Sequence, residues 1–203
     1  PEKAGSRLNG GHPIAVFGGV LSDIPAIAFL LQRNDFGLVE SRDGMLLFKA
    51  GAEKGDTLEN RVSTTHMETM PMPLHSFGNV IDLVESDYNL AGNRLQLVFK
   101  WKLSENAVKA PEMFAVTRIE GIEHSRLVHL PTMALHPAPD WRKDHIVSEY
   151  FEVFLPDGTE NGTYRLLTGW HVVDRPYSWV TDHRSLLGEE TTVGFLTIEN
   201  RKQ

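Results

Sequence analysis

The sequence predicts a mostly β protein: an antiparallel β-sandwich, jelly-roll-like, preceded by a small β-α-β-β unit. Three observations carry this expectation. Large apolar residues take every second position from Leu95 to Leu103. Gly, Pro and Asn turn signals recur at short intervals after Phe77. Between those turns no long stretch has the helical spacing of apolar residues, and short strands closed by turns pack as antiparallel sheets.

The elements follow in chain order. His12 to Val20 reads as a buried strand. Ser22 or Asp23 can cap the helix that follows, with Pro25 in its first turn, where a missing N–H costs nothing. Ile24, Ile27, Ala28 and Leu31 recur at helical spacing, and Asn34-Asp35 closes the segment. The window Pro13 to Gln32 has the length of a membrane span, but Gly18-Gly19, Asp23 and Pro25 interrupt it and favour strand, turn and short helix. Phe36–Glu40 and Met45–Lys49 form a hairpin around Arg42-Asp43-Gly44. Residues 1–50 thus make a small α/β unit of about 40 ordered residues, little for an independent core, and they read as the tail of a larger domain. The chain opens on Pro1 rather than Met, which suits a fragment or a processed product.

Residues 51–76 read as a linker with one short strand near Thr57–Thr65. Met67, Met70 and Met72 with His66 and His75 carry donors for a soft metal, but Met also fills irregular gaps over a core. From Phe77 to the end, residues 77–203, the period is two. Strands are expected at Asn79–Glu85, Leu95–Leu103, Met113–Glu120, Ser125–Leu130, His145–Leu155, Tyr164–Val172 and Thr191–Glu199. Leu97, Phe99 and Trp101 should share the core face, with Lys100 and Lys102 in solvent.

Composition bounds function. The 203 residues carry a formal charge of −7, and an acidic chain lacks the basic face that nucleic acid requires, so no nucleic-acid partner is expected. With no cysteine, disulfides, thiolate metal sites and Cys nucleophiles are excluded. No Gly-x-Ser-x-Gly elbow, Walker loop or dinucleotide fingerprint occurs. Nine histidines are present, yet no His-Glu-x-x-His helix. His124, His129 and His136 lie near Glu120 and Glu123, but His124 and His129 would face opposite sides of one strand. Glu189-Glu190 reads as a solvated turn. Asp82, Glu85, Asp87 and Asn89 offer hard oxygens for a structural calcium without EF-hand spacing, and otherwise no cofactor is expected. Trp141, Tyr177 and Trp179 fall in turn-rich sequence where no periodic core demands them, and are the candidate binding residues for a protein or a glycan. The competing reading makes them plugs for the ends of the sandwich. No catalytic residue is assigned.

The run Phe77-Gly78-Asn79-Val80-Ile81-Asp82-Leu83, then Leu95 to Trp101, Trp141, Ile146 to Pro156, and Asn161-Gly162-Thr163-Tyr164-Arg165-Leu166 to Gly169-Trp170 are similar to motifs in one class of bacterial protein. With Asp35 to Val39 and Asp43 to Phe48 upstream, the chain resembles the C-terminal extracytoplasmic α/β-plus-β-sandwich region of uncharacterised predicted multi-pass membrane proteins. Their membrane part resembles glycosyltransferases that use lipid-phosphate sugars. Two departures stand out: Thr117-Arg118 where the pattern has a His, and a longer, more aromatic stretch after Asp174. The resemblance implies an extracytoplasmic, periplasmic or cell-surface location. It also implies a membrane protein or membrane complex as partner, and a non-catalytic interaction or stabilising role. The alternatives are a carbohydrate-binding module and a metal-assisted hydrolase.

Overall fold

The computed structural model describes residues 14–17, 36–42, 45–50, 62–122, 127–129, 132, 136–155, 159–173 and 184–199. The described chain is mostly strand, and every pairing in it is antiparallel. Among the described residues no helix is long and apolar enough to cross a membrane.

The front unit supplies three strands, β1 (Ile14–Phe17), β2 (Phe36–Arg42) and β3 (Met45–Ala50), in the order β1-β3-β2. The expected hairpin is present, with Arg42 opposite Met45. The helix expected around Ile24, Ile27, Ala28 and Leu31 lies outside the described residues.

Among the described residues ten strands follow in two sheets. The first runs β4 (Val62–His66), β10 (His145–Phe154), β7 (Arg94–Leu103), β6 (Ile81–Ala91) and β5 (His75–Phe77). The second is built on β11 (Gly162–Val173), which pairs on one side with β8 (Met113–Ile119) and through it β9 (Leu127–Val128). On its other side β11 meets β12 (Arg184–Leu186) and then β13 (Thr191–Ile198). Strands β5 to β7 form a meander within one sheet, and the chain changes sheet at β7→β8, β9→β10 and β10→β11.

Alternation explains the core. Leu95, Leu97, Phe99 and Trp101 are all fully buried, as their two-residue period requires. From the other sheet come Met113, Ala115, Ile119, Leu166 and Trp170, and all nine belong to one hydrophobic cluster. The sheets meet at aromatic rings: Trp101 stacks on Phe99 at 5.2 Å and takes Trp170 edge-on at 5.4 Å. Offset and edge-to-face rings satisfy the quadrupole and bury large areas. Each buried aliphatic or Phe side chain contributes about 1.5–3 kcal/mol.

Two expectations need correction. Lys100 does reach solvent and pairs with Glu85 at 2.7 Å, but Lys102 is only 3% exposed. Its Nζ donates to the Pro71 carbonyl at 2.9 Å and lies 3.8 Å from Asp82 Oδ2. The reason is the segment between β4 and β5, which crosses the outer face of the first sheet and covers that end. The same segment corrects the boundaries: residues 62–66 and 75–77 are edge strands of the sheet, so 51–76 is not linker throughout.

Turns and edges show close backbone fits. Gly78 and Asn79 both have φ of +55° in the β5–β6 turn, and a Cβ on Gly78 would stand 2.6 Å from Leu187. On β13, a Cβ at Gly194 would lie 2.1 Å from the Tyr88 ring. The Tyr88 hydroxyl donates to the Phe195 carbonyl at 3.0 Å and accepts from its N–H at 3.2 Å. That side chain occupies the hydrogen-bonding edge that a further strand would use.

Candidate functional site

Two groups of histidine and carboxylate stand out, one sealed and one open. The sealed group ties the sheets together. Strands β7 and β10 bring Trp101 and Glu149 to the inner face of the first sheet, where Trp101 Nε1 donates to Glu149 Oε1 at 2.7 Å. From the second sheet, His129 Nδ1 bonds the same carboxylate oxygen, and its Nε2 lies 2.7 Å from Thr117 Oγ1. Thr117 donates on to Thr168 Oγ1 at 3.0 Å, and Thr168 to the Val116 carbonyl at 3.3 Å. The His129 backbone is fixed by its N–H on the Ala115 carbonyl and by Thr132 Oγ1 on its own carbonyl.

Burial decides what this group does. The side chains of His129 and Glu149 are 0% exposed, and Phe99 and Trp101 rings pack against the imidazole at 4.9 and 6.0 Å. Glu149 Oε2 and Trp170 Nε1 are buried without a hydrogen-bond partner among the described residues. A buried charge is tolerated only where partners compensate its lost hydration. Reagent access is closed, so the geometry fits a structural tie between sheets.

The open group lies where β4 ends and β10 begins. His66 stands opposite His145 in the strand register, with the rings 5.4 Å apart. Asp144 sits between them: Oδ2 is 3.2 Å from His66 Nδ1, and Oδ1 is 2.8 Å from His145 Nδ1. The hydrogen bond from His145 holds the Asp144 carboxyl below the usual carboxylate range, helped by its own backbone N–H and by the charges of His145 and His66. His66 and Asp144 are more than half exposed. Nearby, burial pushes the His136 imidazole down, with Asp140 opposing.

The residues singled out from the sequence separate. Trp141 is 6% exposed, donates its indole N–H to the His136 carbonyl at 2.8 Å, and meets Trp170 edge-on at 5.5 Å. Its ring belongs to the core and offers little surface to a ligand. Tyr177 and Trp179 lie outside the described residues, as do His124 and His183. The candidate calcium ligands do not converge. Asp82 is buried and accepts from Ser104, Glu85 pairs with Lys100, and Asn89 donates to Gln96. Asp87 Oδ1 accepts from the Tyr88 backbone N–H. Glu190 is held by Arg118, whose Nε donates to it at 2.9 Å, and that bond raises the guanidinium pKa. An exposed pair, Arg165 with Glu120, lowers the Glu120 carboxyl chiefly through its hydrogen bond.

Sequence reasoning missed both histidine groups. The sealed one had a signal: Thr117, Glu149 and Thr168 each take an inward position of an alternating strand. The open one had none beyond the adjacent Asp144-His145, because His66 is 78 positions upstream of Asp144 and only strand pairing joins them. Comparison of the chain with protein-family models, with curated proteins and with solved structures returns no match.

Proposed function

We propose that this chain is a non-catalytic interaction or stabilising module of a membrane-associated assembly outside the cytoplasm. The resemblance of its strand motifs to the extracytoplasmic ends of multi-pass bacterial membrane proteins supports the location. One observation carries the interaction role. The β4–β5 connection is pinned to the sheet by the Pro71 carbonyl on Lys102 and by the Leu74 N–H on the Leu83 carbonyl. Yet it turns Met72 (85% exposed) and Leu74 (66% exposed) away from the core. A connection held by its backbone that presents apolar side chains outward suits docking, since flexible Met side chains adapt to a partner.

Photo-crosslinking tests the reading. A photoreactive residue at Met72, in the full-length protein in its native envelope, should give a discrete adduct with a membrane protein, and Leu74→Glu should abolish it without changing the melting temperature. Absence of any adduct at a membrane-retained, folded protein would sink the interaction role. Specific retention on a glycan array would replace it with the carbohydrate-binding alternative.

A further inference from the structure

We infer that His66, Asp144 and His145 form a surface site for a first-row transition-metal dication of the zinc, nickel or copper type. The inference stands independently of the interaction role. It begins with strand pairing. The Met67 N–H donates to the Asp144 carbonyl at 2.9 Å, so positions 67 and 144 form a hydrogen-bonded pair. In an antiparallel ladder the next pair, His66 with His145, is then of the non-hydrogen-bonded kind, in which side chains approach most closely. Two imidazoles are thereby set side by side on the rigid backbone of a sheet, at the end of an edge strand.

The carboxylate completes the set. Each Asp144 oxygen faces one ring, and the three ligand atoms all lie within 4.8 Å of one another. Ligands at about 2.0 Å from a tetrahedral zinc stand about 3.3 Å apart. The separations of 3.2 Å from Asp144 Oδ2 to His66 and 2.8 Å from Oδ1 to His145 are of that order, and side-chain rotations would draw one carboxylate oxygen and both rings from within 4.8 Å to that spacing. Binding would replace an N–H···carboxylate bond at each ring by a bond to the metal, with release of the proton or rotation to the other ring nitrogen. Two imidazoles and one carboxylate favour zinc, nickel and copper, whereas calcium and magnesium want oxygen donors throughout. The side chains of His66 and Asp144 are 60% and 55% exposed, which leaves the remaining coordination positions to water or to a donor from another molecule. Among the described residues no other group of three such side chains comes together. The ion would bridge the end of β4 to the start of β10 and clamp the edge strand to its sheet.

Calorimetric titration of the full chain with zinc chloride alone, near neutral pH, tests the site. Saturable one-to-one binding is expected, with a rise in melting temperature on adding zinc and no matching response to calcium chloride. H66A, H145A and D144A should each weaken zinc binding by about tenfold or more. H75A, on the opposite edge strand, should leave it unchanged. Zinc affinity equal to wild type in the H66A/H145A double variant would overturn the proposal, as would the lack of saturable binding to wild type. Should a variant fail to fold, copper(II) broadening of histidine ring resonances in the wild-type protein decides: broadening confined to rings other than His66 and His145 overturns it equally.

Discussion

The His129–Glu149 pair and the His66–Asp144–His145 group use the same side-chain chemistry in opposite surroundings. Inside the core, the imidazole and carboxylate side chains are 0% exposed, and their bonds go to Trp101 and Thr117. At the sheet edge, His66 and Asp144 keep more than half of their side-chain surface in water. The buried pair can do nothing to a solute, but removing one partner strands the other without hydration. The exposed group contributes little to stability, because solvent screens its charges and replaces its hydrogen bonds. It is, however, free to exchange them for an ion. Accessibility therefore separates a structural tie from a ligand site, although residue type alone would rank the two together.

The largest test of that contrast is Glu149→Ala. It leaves His129 Nδ1 and the Trp101 indole N–H without their shared partner, and denaturant unfolding should show a loss of about 3–5 kcal/mol. A loss near zero would mean that the interior tie is as dispensable as a surface pair. Trp101→Phe removes the indole donor and some ring area from the same contact, and about 1–3 kcal/mol should disappear. Thr168→Val takes away the hydroxyl that Thr117 donates to. Its cost should be about 1–3 kcal/mol by the same assay, since the shape is kept but two neutral bonds are lost and the buried Thr117 hydroxyl loses its acceptor.

The exposed group supplies the small effects. Without metal, His66→Ala should change unfolding stability by no more than about 0.5 kcal/mol. A loss comparable with Glu149→Ala would erase the distinction. Titration sharpens the point. The Asp144 carboxyl is held low by His145, so its contribution is present above the ordinary Asp range and is lost as pH falls through the lowered value. NMR titration should find this carboxyl below a normal Asp, and His145→Gln should move it back up. At the half-buried His136 the folded state favours the neutral ring, because burial lowers its pKa. Its effect therefore holds above the unfolded histidine value and fades as pH drops through the depressed one. His136→Gln should flatten stability against pH in that window, and an unchanged profile would refute the assignment.

Much of the fold could be read from the chain before any coordinates. The period-two run from Leu95 to Leu103 placed Leu97, Phe99 and Trp101 on the core face because side chains on a strand alternate regardless of its neighbours. The hairpin expected around Arg42-Asp43-Gly44 was likewise legible, because which residues tolerate a tight turn is a local matter, and Arg42 does pair with Met45. What a strand's outer face meets is not local. Lys102 looked solvated until the β4–β5 connection brought the Pro71 carbonyl over it. Trp141 looked like a loop aromatic until Trp170, twenty-nine positions later, provided an edge-on partner.

By itself, then, the sequence determined a mostly β, acidic chain without cysteine chemistry, and the inward and outward faces of its best strands. Local sterics and alternation suffice for that much. Only the tertiary structure decided which of nine histidines matter together. Pairing of β4 with β10 put His66 beside Asp144 and His145, and packing of one sheet on the other put His129 against Glu149. Both depend on contacts between residues far apart in the chain, and no short-range pattern encodes which distant strands will become neighbours.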